Sequence, residues 1–181
     1  MFTKKMIAVA AALVVAQSAF ADDKLVDSVS VDVGAGEHVQ MVRFNAAKDW
    51  DNKWFQSNGT HLGGYWELST GVWQENRYKN VVGAEQKLWD IGFTPVFRFQ
   101  NDNKKGLYYE GGIGVHMFSK LYNNSDNRLS THFQFGDHIA TGYVFNNNWE
   151  VALKLQHFSN GGYKKPNSGV NFVELKAAYH F

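Results

Sequence analysis

The chain has 181 residues, 17 glycines, two prolines, no cysteine and a formal charge of +1. These values exclude a disulfide-stapled scaffold and the charge excess of a nucleic-acid-binding protein, and the length suits one domain. Aromatic residues make up 15% of the chain although its mean hydropathy is negative, a mixture that suits strands apolar on one face only.

Lys4 and Lys5 precede an apolar run from Met6 to Val15, and Ala19-Phe20-Ala21 puts small residues at the two positions a signal peptidase reads. The run is too short for a membrane-anchoring helix. Residues 1–21 are therefore expected to be a cleaved secretory signal peptide, and residues 22–181 one exported domain.

No later stretch offers the about 20 consecutive apolar residues of a transmembrane helix. Period-two alternation runs through the chain instead. Val29, Val31, Val33 and Ala35 alternate with Ser30, Asp32 and Gly34, and a turn at Gly36 leads to a less regular second strand, Val39 to Asn45. Leu62, Trp66, Leu68 and Val72 mark the third strand, against Glu67 and Ser69. The fourth sets Trp89, Ile91, Phe93, Phe97 and Phe99 against Thr94, Arg98 and Gln100. The fifth sets Tyr109, Ile113, Val115 and Met117 against Glu110 and His116. The sixth is expected from Leu129 through Phe133, Phe135, Ile139, Tyr143 and Phe145, opposed by Ser130, His132, Gln134 and His138. The seventh pairs Trp149, Val151, Leu153 and Leu155 with Glu150, Lys154 and Gln156. The eighth pairs Val173, Leu175, Tyr179 and Phe181 with Glu174, Lys176 and His180.

Eight such strands joined by turns like Asn101 to Gly106 and Asn146-Asn147-Asn148 predict an all-β fold, an eight-stranded antiparallel barrel. In a soluble ligand-binding barrel the apolar parity points inward; in an outer-membrane barrel it points at lipid. Aromatics near strand ends, the signal peptide without cysteines and a terminal Phe181 favour the outer-membrane barrel. A terminal aromatic resembles the signal read by the barrel assembly machinery, an expected partner during insertion. Asp32, Arg43, Glu67, Arg98, Glu110, Glu150, Lys154, Glu174 and Lys176 are then expected to pair inside a filled lumen, together with His116, His132 and His180. No metal-ligand spacing joins the histidines, so no metal or cofactor is expected. The segment from Asp49 to Gln56 interrupts the second and third strands and holds Trp50 and Trp54 beside charges. It reads as part of an interfacial aromatic belt or as a lipid-headgroup contact.

His157 and Ser159 break the outward pattern. They share the parity of Leu155, lie about 6.8 Å apart along an extended strand, and would meet lipid near a strand end. At headgroup level such a pair suits attack on a lipid ester, which needs a hydroxyl, a neutral imidazole, a group to orient it and donors for the oxyanion. By parity Asn171 faces the site and Glu174 does not. Asp137, an outward carboxylate on the sixth strand, is the alternative orienting acid unless a bulge at Gly136 reverses it. Asn160, Asn167 and the Gly161-Gly162 backbone are oxyanion candidates, or simply build the turn before the last strand.

The pattern His157-Phe158-Ser159-Asn160 followed by Lys164-Lys165-Pro166-Asn167-Ser168-Gly169 resembles the lipid A 3-O-deacylase family. Asp49-Trp50-Asp51 with Trp54, Gly64-Tyr65-Trp66, Thr94-Pro95-Val96-Phe97 and Gly112-Ile113-Gly114-Val115 look like family segments in the same order. The resemblance implies an outer-membrane esterase that removes the acyl chain at position 3 of lipid A without a metal. It implies Ser159 as nucleophile, His157 as general base and Asn167 as oxyanion donor. Where a well-aligned member of that family has a glutamate as third residue, this chain has Asn171, which can orient an imidazole but brings no charge. Two other readings fit a barrel of this size. One is a noncatalytic structural or adhesive barrel, for which His157 and Ser159 are incidental; the other is a lipid A acyltransferase.

Overall fold

The computed structural model describes residues 25–181; the expected signal peptide lies outside the described residues. The described residues form eleven strands, nine in one sheet and two in a second. Strands β1 (Ser28–Gly36), β2 (Val39–Asp49), β3 (Trp54–Ser57), β4 (Thr60–Glu75), β5 (Gln86–Asn101) and β6 (Gly106–Phe118) come first. The short pair β7 (Asn123–Asn124) and β8 (Asn127–Arg128) follows, and then β9 (Phe133–Val144), β10 (Trp149–Ser159) and β11 (Val170–His180). Neighbours run β2-β1-β11-β10-β9-β6-β5-β4, all antiparallel, and β4 pairs with β2 to close an eight-stranded barrel. Closure leaves the main wall without free edges.

The alternation places the residues as expected. Leu153, Leu155, Val173, Leu175, Phe93 and Phe97 are each about half exposed on the outer wall, while Asp32, Glu150 and Glu174 are fully buried inside. Most lumen charges pair with one another, Glu67 being the expected member that joins no ion pair among the described residues, and the pairing offsets the cost of removing them from water. Lys154 bridges Asp32 and Glu174. Arg98 binds Glu110 and Glu150 at 2.6 and 2.9 Å, and Lys176 reaches Glu150 at 3.3 Å. Higher in the barrel Asp90 accepts from Arg43, Trp73 and His116.

Two ends differ. The end where β1, β4, β6 and β10 finish carries the connections 76–85, 119–132 and 160–169, and an apolar plug fills the lumen beneath them. Trp73, Phe118, Phe158 and Phe172 form that plug, with the Trp73 ring 4.9 Å from Phe158 and 4.7 Å from Phe172. At the opposite end Trp50 packs edge-on to Trp54, Trp66 and Phe97, and Trp149, Tyr179 and Phe181 form a second outward cluster. The segment from Asp49 to Gln56, expected as an interruption carrying an aromatic belt, also contains most of β3, which pairs with β4. A hydrogen bond from Gln56, joined by one from His61, holds the Asp102 carboxyl in the β5–β6 turn below the usual carboxylate range.

The sixth barrel strand is shorter than its sequence pattern. It starts at Phe133, not near Leu129. Leu129 is 2% exposed and packs into the plug, because the 119–132 connection folds over the barrel mouth. His132 consequently lies outside the lumen, with Nδ1 donating to the Phe118 carbonyl at 2.7 Å.

Candidate functional site

The site candidates gather on the outer wall beside the plugged end. Strand β10 turns Phe158 inward and its neighbours His157 and Ser159 outward. Phe158 is fully buried among Trp73, Phe118 and Phe172, a burial worth about 2–3 kcal/mol that fixes which face the flanking residues present. Phe172 does the same for Asn171 on β11. On β9 Gly136 lies inward opposite Phe158, and a Cβ there would meet the His116 ring at 2.6 Å and Phe158 at 2.9 Å. The β9–β10 register runs through Gly136 without a shift, so no bulge reverses Asp137 and its side chain faces outward.

Antiparallel register puts Asp137, His157 and Asn171 in one row, with His157 opposite Asn171 on one side and Asp137 on the other. Asn171 Oδ1 accepts a hydrogen bond from His157 Nδ1 at 2.7 Å. A carbonyl oxygen only accepts, so the Nδ1 proton is fixed and the Nε2 lone pair is left available. Gly169 closes over the ring. It has φ +78°, and a Cβ on it would lie 2.6 Å from His157 Cε1, so a side chain is excluded both by conformation and by space. Glu174 lies on the opposite face and is fully buried, bound to Lys154.

The oxyanion candidates separate by what their polar groups already bind. Asn160 is 2% exposed; its Nδ2 donates to the Lys164 carbonyl at 2.7 Å and its Oδ1 accepts from the Gly162 N–H at 3.0 Å. Both Asn160 and Gly162 are thereby spent on the turn. Asn167 Oδ1 accepts the Asn160 N–H at 2.9 Å, which leaves its Nδ2 to donate elsewhere. The Gly161 N–H points to Ser159 Oγ at 3.4 Å.

The 119–132 connection braces this turn, a contribution with no signal in the sequence. Leu129 bridges to Asn167, the Ser168 N–H donates to the Arg128 carbonyl at 3.0 Å, and Ser130 Oγ donates to the Lys164 carbonyl at 2.7 Å. Asn160 Nδ2 also reaches Ser130 Oγ at 3.4 Å. Below the row, Asp137, His157 and Asn171 border an open groove of about 530 Å³ whose other walls include Ile139, Leu155 and Val173. Among the described residues no cluster of His, Asp and Glu is arranged to hold a metal ion.

This arrangement can be set beside known proteins. Residues 40–180 match the model of the family described as lipid A 3-O-deacylase (PagL). The chain is 32% identical over 155 residues to lipid A deacylase PagL of Bordetella bronchiseptica, covering 84% of this chain and 83% of that protein. It is 34% identical over 150 residues to the Pseudomonas aeruginosa protein of the same name, covering 81% and 82%. The crystal structure of the outer membrane enzyme PagL superposes with a TM-score of 0.72 at 28% identity, over 85% of this chain and 99% of that one. Neisserial surface protein A shares the fold alone, with a TM-score of 0.53 at 10% identity over 85% and 94%. The barrel is an outer-membrane barrel, and the chain belongs to the lipid A 3-O-deacylase family.

Proposed function

We propose that the exported domain, residues 22–181, hydrolyses the ester at position 3 of lipid A, using Ser159 as nucleophile and His157 as general base on the lipid-facing wall. The observation that carries this reading is the 2.7 Å contact from His157 Nδ1 to Asn171, which leaves Nε2 free on the face that also bears Ser159. In the first step Nε2 takes the Ser159 proton as Oγ attacks the acyl carbonyl carbon. The Asn167 amide and the Gly161 N–H are suited to hold the oxyanion that forms. The tetrahedral intermediate expels the sugar oxygen, which receives the proton from His157. Water then attacks the acyl-enzyme while His157 takes its proton, Ser159 is restored and a 3-hydroxy fatty acid leaves.

The surroundings suit such a substrate. The groove below His157 continues down an apolar wall past Leu153, Leu175, Val33 and Val31, where an acyl chain can stay among lipid tails while its ester reaches the site. The site lies at the end with three long connections, the side that faces outward in barrels of this type. No lumen route is needed, since charges and the plug fill the interior.

Measuring fatty acid release and lipid A mass in cells expressing wild type or Ser159→Ala tests the reading. Loss of release in the variant is expected. Equal deacylation would sink the serine mechanism, tolerance of changes at both His157 and Ser159 would indicate a noncatalytic barrel, and a phospholipid-dependent gain of lipid A mass an acyltransferase.

A further inference from the structure

His157 occupies the middle of a row that crosses three strands, and its two flanks are chemically unlike. On β11, Asn171 holds Nδ1 and orients the ring, but an amide has no formal charge. The ring becomes a cation each time it takes a proton. On β9, Asp137 is charged, exposed on an apolar wall, and opposite His157 in register. Among the described residues its carboxylate joins no hydrogen bond or ion pair, an unusual state for an acid at a bilayer surface. Directly opposed residues bring their Cβ atoms to about 4.5–5.5 Å, within the range where one charge stabilises another.

Other charges at this end of the barrel sit on other elements. Glu37 is in the β1–β2 turn, Arg128 on β8, and Lys164 and Lys165 in the 160–169 connection. On the far side of Asp137 β6 offers Ile113, which is apolar, and Gly169 brings only backbone to the ring. Asp137 is the carboxylate in the cross-strand row of His157 itself.

Building on the serine-esterase reading, we infer that Asp137 supplies the negative charge that Asn171 lacks, as a positioning residue that stabilises the His157 imidazolium. The two tasks of a triad acid are divided: Asn171 fixes the tautomer and orientation, and Asp137 provides the field. The proton passes from Ser159 Oγ to His157 Nε2 and on to the departing sugar oxygen. In deacylation it passes from water to Nε2 and back to Ser159. Asp137 stays ionised throughout and takes no proton.

The test compares kcat and its pH profile for wild type, Asp137→Asn, Asn171→Glu and the double variant, in micelles containing lipid A. Assembly is checked by mobility of unboiled samples on gels. Asp137→Asn is expected to lower kcat by about 10–100-fold. Without the carboxylate the imidazolium is disfavoured, so the ring stays neutral to lower pH and the acid limb of the profile moves to lower pH. Asn171→Glu places a carboxylate on Nδ1 and should return the double variant to within about threefold of wild type. Asp137→Glu keeps the charge and should retain the wild-type profile, while Asp137→Ser should behave as Asp137→Asn does. Wild-type kcat and profile in Asp137→Asn would overturn the inference. So would a loss that leaves the profile in place and is not relieved by Asn171→Glu, the mark of a merely structural role. Ser159→Ala run beside them separates the two levels, because release at the wild-type rate there would sink the esterase reading itself.

Discussion

Strands β10 and β11 carry opposite chemistries on their two faces. Inward, Lys154, Glu174, Glu150 and Lys176 are buried and paired, and their charges cancel within the lumen. Outward, the wall is Leu153, Leu155, Val173 and Leu175 until the plugged end, where His157, Ser159 and Asn171 appear on a face otherwise given to lipid. Polarity in the lumen is what a small barrel needs to fill itself. Polarity on the wall has no such use, so the few outward polar residues mark the site more sharply than the many inward ones.

The largest expected effects should break this contrast in opposite ways. Asn171→Ala removes the acceptor for His157 Nδ1, frees the ring to take the wrong tautomer, and is expected to lower kcat by on the order of 10³-fold. Resistance of the barrel to urea should be unchanged, since Asn171 is outward and exposed. Glu174→Ala, three residues along the same strand, should do the reverse. Lys154 keeps Asp32 but loses one partner, costing about 1–3 kcal/mol in urea unfolding with kcat within about twofold of wild type. The opposite ranking would mean that the two faces of β11 have been exchanged.

Parity made most of this legible in the sequence. A lipid-facing wall and a charged lumen impose period two, so Asp32, Glu150, Glu174 and the outward His157 and Asn171 could be sorted before any register was known. Leu129 shows where parity misleads. It continues the alternation of Phe133 and Phe135 by coincidence, yet it belongs to a connection whose course is set by the plug beneath it. Connections have no period to read. The bracing of Asn167 by Arg128, Leu129 and Ser130 depends on two loops that meet only because β9 lies beside β10. The separation of Asn167 from Asn160 was hidden for a related reason, since both are turn-forming residues and only their hydrogen bonds distinguish them.

Gly169→Ala sharpens the contrast on the outer side at intermediate size. The new Cβ would press on His157 Cε1, and φ +78° adds a backbone cost of about 1 kcal/mol. Displacing the ring from Asn171 should lower kcat by about 10²-fold, read from initial rates of fatty acid release. Gly136→Ala would instead crowd His116 and Phe158 inside, and should show first as loss of folded barrel. A Gly169→Ala enzyme with wild-type kcat would mean that the ring has more freedom than this packing allows.

Ser130→Ala is the smallest expected effect and probes whether the site extends beyond its own strands. The hydroxyl donates to the Lys164 carbonyl at 2.7 Å and lies 3.4 Å from Asn160 Nδ2, so it ties the 119–132 connection to the turn that presents Asn167. Its removal costs one hydrogen bond, about 1 kcal/mol, borne by an exposed turn and not by the barrel. Unfolding in urea should therefore not move. If Asn167 must be held still to meet the oxyanion, kcat should fall about fivefold with KM within about twofold, and Ser130→Thr, which keeps a hydroxyl, should recover most of the loss. An unchanged kcat would show that the Asn160 contacts to Lys164 and Gly162 hold the turn alone, and would confine the functional unit to β9, β10, β11 and the turn between the last two.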